Sequence, residues 1–88
     1  MSEANYLDGN AAAGALSEVF AVDLTTATAR CNGCGKMAVF AEARVYLDAP
    51  GMVARCNGCE SVLLRVVSTP NDTYLDLRGL TYLRVPNS

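Results

Sequence analysis

The sequence predicts a small α+β, mostly β domain in which an N-terminal helix precedes antiparallel hairpins that carry two cysteine knuckles. Three observations lead to this prediction. The chain has 88 residues, which suffices for one domain with a modest core. Its four cysteines occur in two identical pentapeptides. Between and after these pentapeptides, apolar and polar residues alternate with the period of half-buried strands.

Each repeated pentapeptide reads Arg-Cys-Asn-Gly-Cys, first at residues 30–34 and again at residues 55–59, with 21 residues between the two C-x2-C pairs. Two thiolates of one C-x2-C segment reach the same ion only if the backbone between them turns tightly. Gly33 and Gly58 are expected to allow this turn, because glycine permits a positive φ and leaves room for backbone N–H groups to approach sulfur. The predicted metal ligands are Cys31, Cys34, Cys56 and Cys59.

Four cysteines and no histidine favour one closed, structural Zn2+ site, because catalytic zinc usually keeps an open position and often uses histidine. Iron of the rubredoxin type also binds two such knuckles, but the aromatic residues that usually surround it are missing here. Disulfide or thiol redox chemistry is the third interpretation. No signal-peptide-like segment opens the chain, so a secreted protein with two disulfides is not expected.

Basic residues beside the knuckles are expected to offset the negative charge of a four-thiolate zinc site. Arg30 and Arg55 directly precede the knuckles, and Lys36 closely follows the first one. The alternative is that the two arginines simply end strands in solvent. The formal net charge is −2, and one Zn2+ on four thiolates takes it to about −4. This acidic balance disfavours non-specific nucleic-acid binding.

An amphipathic helix is predicted over residues 11–21, with Asp8 or Asn10 as its N-cap. Its apolar face would carry Ala12, Leu16, Val19 and Phe20. We expect this face to cover a sheet, and docking on a partner is the alternative.

The clearest predicted strand covers residues 39–48. Alternate residues should face the core, namely Val39, Ala41, Ala43, Val45 and Leu47. Phe40 and Tyr46 then point outward. A type II turn centred on Pro50 and Gly51 is expected to lead into a second strand, residues 52–55.

Other segments complete the predicted sheet. Residues 24–29 read as a strand or an extended lead, and residues 61–69 as a central, largely buried strand with apolar residues on both faces. Residues 73–77 read as a further strand, and residues 80–85 as a short strand or one helical turn. The predicted single domain has three parts: an N-terminal helical segment (1–23), the hairpins with their knuckles (24–78) and a C-terminal extension (79–88).

From about Arg30 to Val67, the knuckles and hairpins resemble the zinc-ribbon superfamily. The whole chain resembles a family of small, mainly actinobacterial zinc-ribbon proteins of unknown function. Besides the knuckles, the segments that carry this resemblance are residues 7–10, 18–20, 42–46, 48–51 and 74–80. The resemblance implies the same four cysteine ligands and implies no activity.

We expect a non-enzymatic, cytoplasmic zinc-binding module that acts through contact with an unidentified protein partner. No apolar run approaches 18 residues, so no membrane span is expected. The absence of histidine excludes Ser-His and Cys-His catalytic groups, and no carboxylate pair has a defensible catalytic spacing. Aromatic candidates for the partner surface are Phe40, Tyr46, Tyr74 and Tyr82.

Two alternative functions stay open. A nucleic-acid-binding role in transcription or translation would require folding to gather several arginines on one side. These are Arg30, Arg44, Arg55, Arg65 and Arg78. A thiol or zinc redox sensor would release its metal on oxidation and would require an exposed site.

Overall fold

A computed structural model describes residues 6–12, 24–48 and 51–86. The strands of this part of the chain are β1 (Leu7–Asp8), β2 (Thr28–Cys31), β3 (Met37–Val39), β4 (Arg44–Asp48), β5 (Gly51–Arg55), β6 (Val62–Ser68), β7 (Thr73–Asp76) and β8 (Leu80–Arg84). They form two antiparallel sheets, one of five strands in the order β1-β4-β5-β6-β7 and one of three strands in the order β3-β2-β8. Short 3-10 turns cover Gly9–Ala12, Leu24–Thr26 and Phe40–Glu42.

β6 is an interior strand of the five-stranded sheet. β6 pairs with β5 on one side and with β7 on the other. Leu63, Leu64 and Val66 are buried, whereas Arg65 is exposed. The sequence prediction of a central, largely buried strand over residues 61–69 is therefore confirmed, with apolar side chains on both of its faces.

The β4–β5 hairpin differs from its prediction at Gly51. This residue pairs with Asp48 and therefore opens β5 instead of forming the centre of the turn. A β-carbon at Gly51 would lie 1.9 Å from the carbonyl oxygen of Val66, so glycine is required by the close approach of β6. Pro50, the other predicted turn centre, lies outside the described residues.

The single strand predicted over residues 39–48 is wrong, because the Phe40–Glu42 turn divides it into β3 and β4. The turn changes which side chains face inward: Val39 is 40% exposed, whereas Phe40 is only 1% exposed. The Phe40 N–H donates to the Ala27 carbonyl at 2.8 Å, a tertiary bond that an alternating pattern does not reveal. Of the other residues predicted to face inward, Ala43 and Val45 are buried, Ala41 is half-buried and Leu47 is exposed.

The predicted fold class, a ribbon of hairpins with an N-terminal helix, is also wrong. No α-helix occurs in the described residues: Gly9–Ala12 is a 3-10 turn, and residues 13–21 of the predicted helix lie outside them. Leu7–Asp8 instead extends the larger sheet beside β4. Asp8 Oδ1 accepts a hydrogen bond from the Asn10 N–H at 3.0 Å, which is typical of aspartate at a turn. A β-carbon at Gly9 would lie 1.8 Å from the Phe40 carbonyl oxygen, so glycine is required by the close approach of these two backbone segments.

The three-stranded sheet brings the C-terminal segment to the first knuckle. Residues 80–85 were predicted to form either a short strand or one helical turn. The structure shows the strand, β8, which pairs with β2. Residues 24–29 are a 3-10 turn followed by the start of β2 rather than one strand. The core contains Phe40, Val45 and Leu64 together with Cys31. In the described ranges, no helix is long and apolar enough to span a membrane.

Candidate metal centre

The first knuckle closes one end of the three-stranded sheet. Cys31 is the last residue of β2. Its N–H donates to the Lys36 carbonyl at 2.9 Å, and its carbonyl accepts from the Gly35 N–H at 2.8 Å. The Gly33 N–H donates to Cys31 Sγ at 3.3 Å. This bond places a backbone N–H directly on the sulfur of the first cysteine.

The second knuckle repeats these bonds at the end of β5. The Cys56 N–H donates to the Ser61 carbonyl at 2.9 Å, and the Cys56 carbonyl accepts from the Glu60 N–H at 2.9 Å. The Gly58 N–H donates to Cys56 Sγ at 3.3 Å. The repeated pentapeptide therefore has the same hydrogen-bonded geometry in both places.

The positive φ expected within the pentapeptides occurs one residue beyond each of them. It is found at Gly35, with φ of 78°, and at Glu60, with φ of 66°. Gly33 and Gly58 are not among the described residues with positive φ, so that part of the prediction is wrong, whereas the expected approach of backbone N–H groups to sulfur is confirmed at both glycines. The turn is completed after the second cysteine, where the chain must reverse to rejoin its sheet.

Gly33 and Gly58 are instead required by contact between the two knuckles. A β-carbon at Gly33 would lie 2.7 Å from Ser61 Oγ, and one at Gly58 would lie 3.0 Å from Lys36 Cδ. Ser61 and Lys36 follow the two knuckles at equivalent positions. The glycine of each knuckle therefore packs against the residue that lies two positions after the other knuckle. This contact brings the two cysteine pairs together.

The four predicted ligands form one cluster. Their Sγ atoms all lie within 4.8 Å of one another. The short distances cross between knuckles: 3.6 Å for Cys31–Cys59 and 3.7 Å for Cys34–Cys56. A tetrahedral site with Zn–S bonds of about 2.3 Å has sulfurs about 3.8 Å apart. The cluster thus fits one four-coordinate metal ion.

In each knuckle the first cysteine is buried and the second is exposed. Cys31 and Cys56 are buried and belong to the core, whereas Cys34 and Cys59 are exposed. All four are free thiols. An ion bound to all of them would lie at the boundary between the core and solvent.

The thiol pKa values differ across the cluster. Hydrogen bonding with the side chain and backbone of Ser61 lowers the pKa of Cys59 to about 6, and Ser61 Oγ lies 3.2 Å from its sulfur. Burial raises the pKa of Cys56, but the N–H groups of Cys59 and Gly58 outweigh it and the pKa is lowered. The Lys36 N–H lowers the pKa of Cys34, but desolvation and the neighbouring sulfurs raise it to about 11. Four clustered thiolates repel one another, and a bound cation removes this conflict.

All three predicted cations contact a knuckle. The Arg30 guanidinium lies beside the first knuckle at Gly35, and the Lys36 side chain crosses to the second knuckle at Gly58. Arg55 Nη1 donates to the carbonyl of the residue that follows the second knuckle at 2.9 Å. These positive charges surround a site that would be anionic with four thiolates and one divalent ion.

Two residues of the site, Glu60 and Ser61, were missed from the sequence. Arg44 Nη1 forms an ion pair with Glu60 Oε2 at 2.5 Å and thereby holds the residue with positive φ in the second knuckle. Ser61 bonds to Cys59 and contacts the first knuckle. A signal for both was present, because Glu60-Ser61 occupies the positions of Gly35-Lys36 when the two pentapeptides are aligned.

The candidate interaction residues are not brought together. Phe40 is buried, Tyr46 is half-buried against Tyr6, and Tyr74 and Tyr82 are exposed on different sheets. Of the five arginines proposed for nucleic-acid binding, Arg44 and Arg55 are cross-strand neighbours on β4 and β5, and the five do not form one patch. Arg44 and Arg78 form ion pairs with Glu60 and Asp76, Arg55 bonds to the second knuckle, Arg65 lies on the larger sheet and Arg30 on the smaller one.

Comparison with known proteins identifies a family to which the chain belongs. The model of a family of unknown function (DUF6510) matches residues 3–88. No curated protein and no solved structure matches the chain. Because the function of this family is unknown, the match assigns no activity to the cysteine cluster.

Proposed function

We propose that this chain, which belongs to the family of unknown function DUF6510, is a non-enzymatic module that binds one structural Zn2+ and acts through contact with a protein partner. The observation that carries the proposal is the four-cysteine cluster. Four thiolates saturate a tetrahedral ion and leave no position for a substrate or an activated water. The chain has no histidine that could replace one of them.

The proposed role of zinc is to join the two sheets. Cys31 ends a strand of the smaller sheet, and Cys56 directly follows β5 of the larger one. An ion bound to both cysteine pairs would therefore cross-link the sheets at one end of the core. Structural zinc can supply on the order of 10 kcal/mol of folding free energy, which is more than the total stability of many small domains.

Zinc is proposed instead of iron, although four thiolates suit both metals. The two are separated by simple spectroscopy, because Zn2+ has a filled d shell and no visible absorption. The proposal also assigns the protein to the cytoplasm. Its four cysteines are free, and a reducing compartment keeps thiols in the form that binds metal.

Native mass spectrometry of the protein recovered gently from its own host tests this proposal. We expect a mass that includes one zinc ion, together with a complex that contains a second protein. Recovery of the zinc-loaded chain as a monomer with no protein partner would contradict the contact role. Recovery without metal and with two disulfides would contradict the site itself.

A redox-sensing role is the second candidate, and the exposure of Cys34 and Cys59 favours it. Each of these lies beside a buried cysteine of the other knuckle, at 3.7 Å and 3.6 Å respectively. Oxidation of two thiolates to one disulfide by hydrogen peroxide would yield hydroxide or water and remove two zinc ligands. Zinc release with cross-knuckle disulfides under mild peroxide would support this role. Retention of zinc and of all four thiols would contradict it.

A further inference from the structure

The outer face of the smaller sheet combines arginines with apolar side chains. Paired residues of antiparallel strands point to the same face. One row across this sheet is therefore Met37, Arg30 and Tyr82, and the next row is Val39, Thr28 and Arg84. These six residues define the outer face. Neighbouring strands are about 5 Å apart and the two rows about 7 Å apart, so the face has the width of a short peptide segment.

The outer face is open to solvent. Met37 is 50% exposed and Tyr82 is 39% exposed, and Val39 and both arginines are also exposed. Ala29 and Leu83, which alternate with these residues, belong to or pack against the core on the opposite side of the sheet. Met37 and Val39 are neighbours on β3, and Tyr82 lies across β2 on the other side of Arg30, so exposed apolar side chains flank this arginine on both sides.

The outer face is also cationic, although the chain as a whole is acidic. The sequences of β2, β3 and β8 contain no Asp or Glu. No carboxylate of the described residues forms an ion pair with Arg30 or Arg84; Arg84 Nη2 donates only to Thr28 Oγ1, at 3.4 Å. On the larger sheet, by contrast, Arg44 is paired with a carboxylate. Neither arginine therefore has a carboxylate partner among the described residues, and both are exposed to carboxylates of another molecule, although the Arg30 guanidinium also lies beside Gly35 after the first knuckle.

We propose that the outer face binds an acidic segment of a partner protein, in which carboxylates flank apolar side chains. This inference rests on the proposed function as a protein-contact module and specifies its surface and its ligand. Carboxylates would accept charge-assisted hydrogen bonds from Arg30 and Arg84. Apolar side chains between them would cover Met37, Val39 and Tyr82 and remove their surface from water.

Two other occupants fit less well. A nucleic acid is a polyanion that requires many phosphate contacts, whereas this face offers two arginines in a chain of negative net charge, with Tyr82 as its one aromatic residue for stacking. A second copy of the chain, docked face to face by two-fold symmetry, would bring two arginine-bearing faces without carboxylates on their strands into contact. An acidic segment satisfies both the charge and the apolar surface.

The test is an NMR titration of the 15N-labelled, zinc-loaded protein with a twelve-residue synthetic peptide in which Asp and Glu alternate with Leu and Phe. We expect saturable shifts of amides in β2, β3 and β8. The same peptide with Lys at every acidic position, and a twelve-nucleotide oligo(dT), serve as comparison ligands. The expected order of affinity is acidic peptide first, then oligo(dT), with no saturation by the basic peptide.

Charge reversal locates the contact. The double variant Arg30→Glu, Arg84→Glu should weaken binding of the acidic peptide by about tenfold or more, since two charge-assisted contacts are lost. The matched control is Arg65→Glu, which reverses an exposed arginine on the larger sheet and should change the affinity by less than about twofold. Arg84→Glu alone is the second variant, because Arg84 is remote in sequence from the knuckles. Native mass spectrometry of each variant checks that one zinc ion is retained.

Four results would overturn the inference: no saturable shift with the acidic peptide, shifts centred on β6 and β7, tighter binding of oligo(dT), or self-association through the outer face. Equal affinities of the double variant and the Arg65→Glu control would do the same. These results differ from a failure of the proposed function, which is detected by recovery of the native chain without any protein partner.

Discussion

The two knuckles share five residues and the same hydrogen bonds, yet they differ at the two residues that follow. Gly35 and Lys36 complete the first knuckle, and Glu60 and Ser61 complete the second. Gly35 and Glu60 have nearly the same positive φ, 78° and 66°. Glycine adopts this conformation without steric cost, whereas a residue with a β-carbon is disfavoured there by about 1 kcal/mol or more. The pentapeptide and its hydrogen bonds therefore determine the backbone of the knuckle, even against the preference of the residue that follows.

The second knuckle has contacts that offset this cost. Arg44 forms an ion pair with the Glu60 carboxylate, and Arg55 donates to the Glu60 carbonyl. Ser61, which follows, bonds to Cys59 and lowers its pKa. The first knuckle has glycine where the second has a glutamate held by two arginines. Substitutions at equivalent positions should therefore have unequal effects.

The largest effect is expected at the ligands, where burial matters more than the choice of knuckle. Cys31→Ser and Cys56→Ser each remove a buried ligand and leave a hydroxyl in the core, so both variants should lose zinc and unfold. Cys34→Ser and Cys59→Ser alter exposed positions and should bind zinc more weakly while retaining the fold. Native mass spectrometry and thermal unfolding by circular dichroism measure the two properties. A folded, zinc-loaded Cys31→Ser variant would contradict this expectation.

The next largest effect on stability is expected when alanine replaces either of the two glycines, Gly33 or Gly58, that pack between the knuckles. Alanine at position 33 would meet Ser61 Oγ at 2.7 Å and displace the side chain that bonds to Cys59. Alanine at position 58 would meet Lys36 Cδ at 3.0 Å, part of a flexible side chain that can move away. Gly33→Ala should therefore reduce the free energy of unfolding by about 1–2 kcal/mol more than Gly58→Ala. Urea unfolding of the zinc-loaded proteins measures the difference, and equal losses would show that the two contacts are equivalent.

A smaller effect is expected at the residues of positive φ. Gly35→Ala should reduce the free energy of unfolding by about 1 kcal/mol, because it places a β-carbon in the left-handed region. Glu60→Gly should change it by less than about 0.5 kcal/mol, since relief of the left-handed conformation opposes the loss of the ion pair with Arg44. Thermal and urea unfolding measure both variants. A strong loss of stability in Glu60→Gly would mean that the Arg44 contact outweighs the backbone strain.

The smallest effect concerns the pH of zinc release. Because Ser61 lowers the pKa of Cys59 to about 6, protons compete with the metal for this sulfur less than they otherwise would. Ser61→Ala should raise that pKa, so zinc should be released at a pH higher by a few tenths of a unit as the solution is acidified. Ser68→Ala, at an exposed position on β6, is the control and should not shift the release. A chromogenic zinc chelator follows the release, and identical curves for all three proteins would contradict the role of Ser61.

The four-cysteine cluster could be predicted from the sequence because it depends on local geometry. The two identical pentapeptides form the same hydrogen bonds, and their spacing limits how two thiolates could share an ion. The strand over residues 61–69 was predictable for a similar reason, since its apolar residues occupy both faces. Both the knuckles and this strand are determined largely by residues that are consecutive in the sequence.

The remaining features depend on contacts between distant segments. The turn at Phe40 is held by a hydrogen bond to Ala27, and Gly9 is held against the backbone of Phe40. The pairing of β8 with β2 joins residues about fifty positions apart. An alternating or helical pattern indicates which side chains are apolar but not which backbone lies beside them. The division of one expected strand and the second sheet could therefore not be predicted.

The central claim is that one zinc ion is bound by all four cysteines. X-ray absorption at the zinc edge of the natively recovered protein tests it most directly, because it reports both the metal and its ligands. The predicted result is one zinc per chain with four sulfur neighbours at about 2.3 Å. A shell that contains oxygen or nitrogen, or a protein without zinc whose cysteines are joined in disulfides, would contradict the claim.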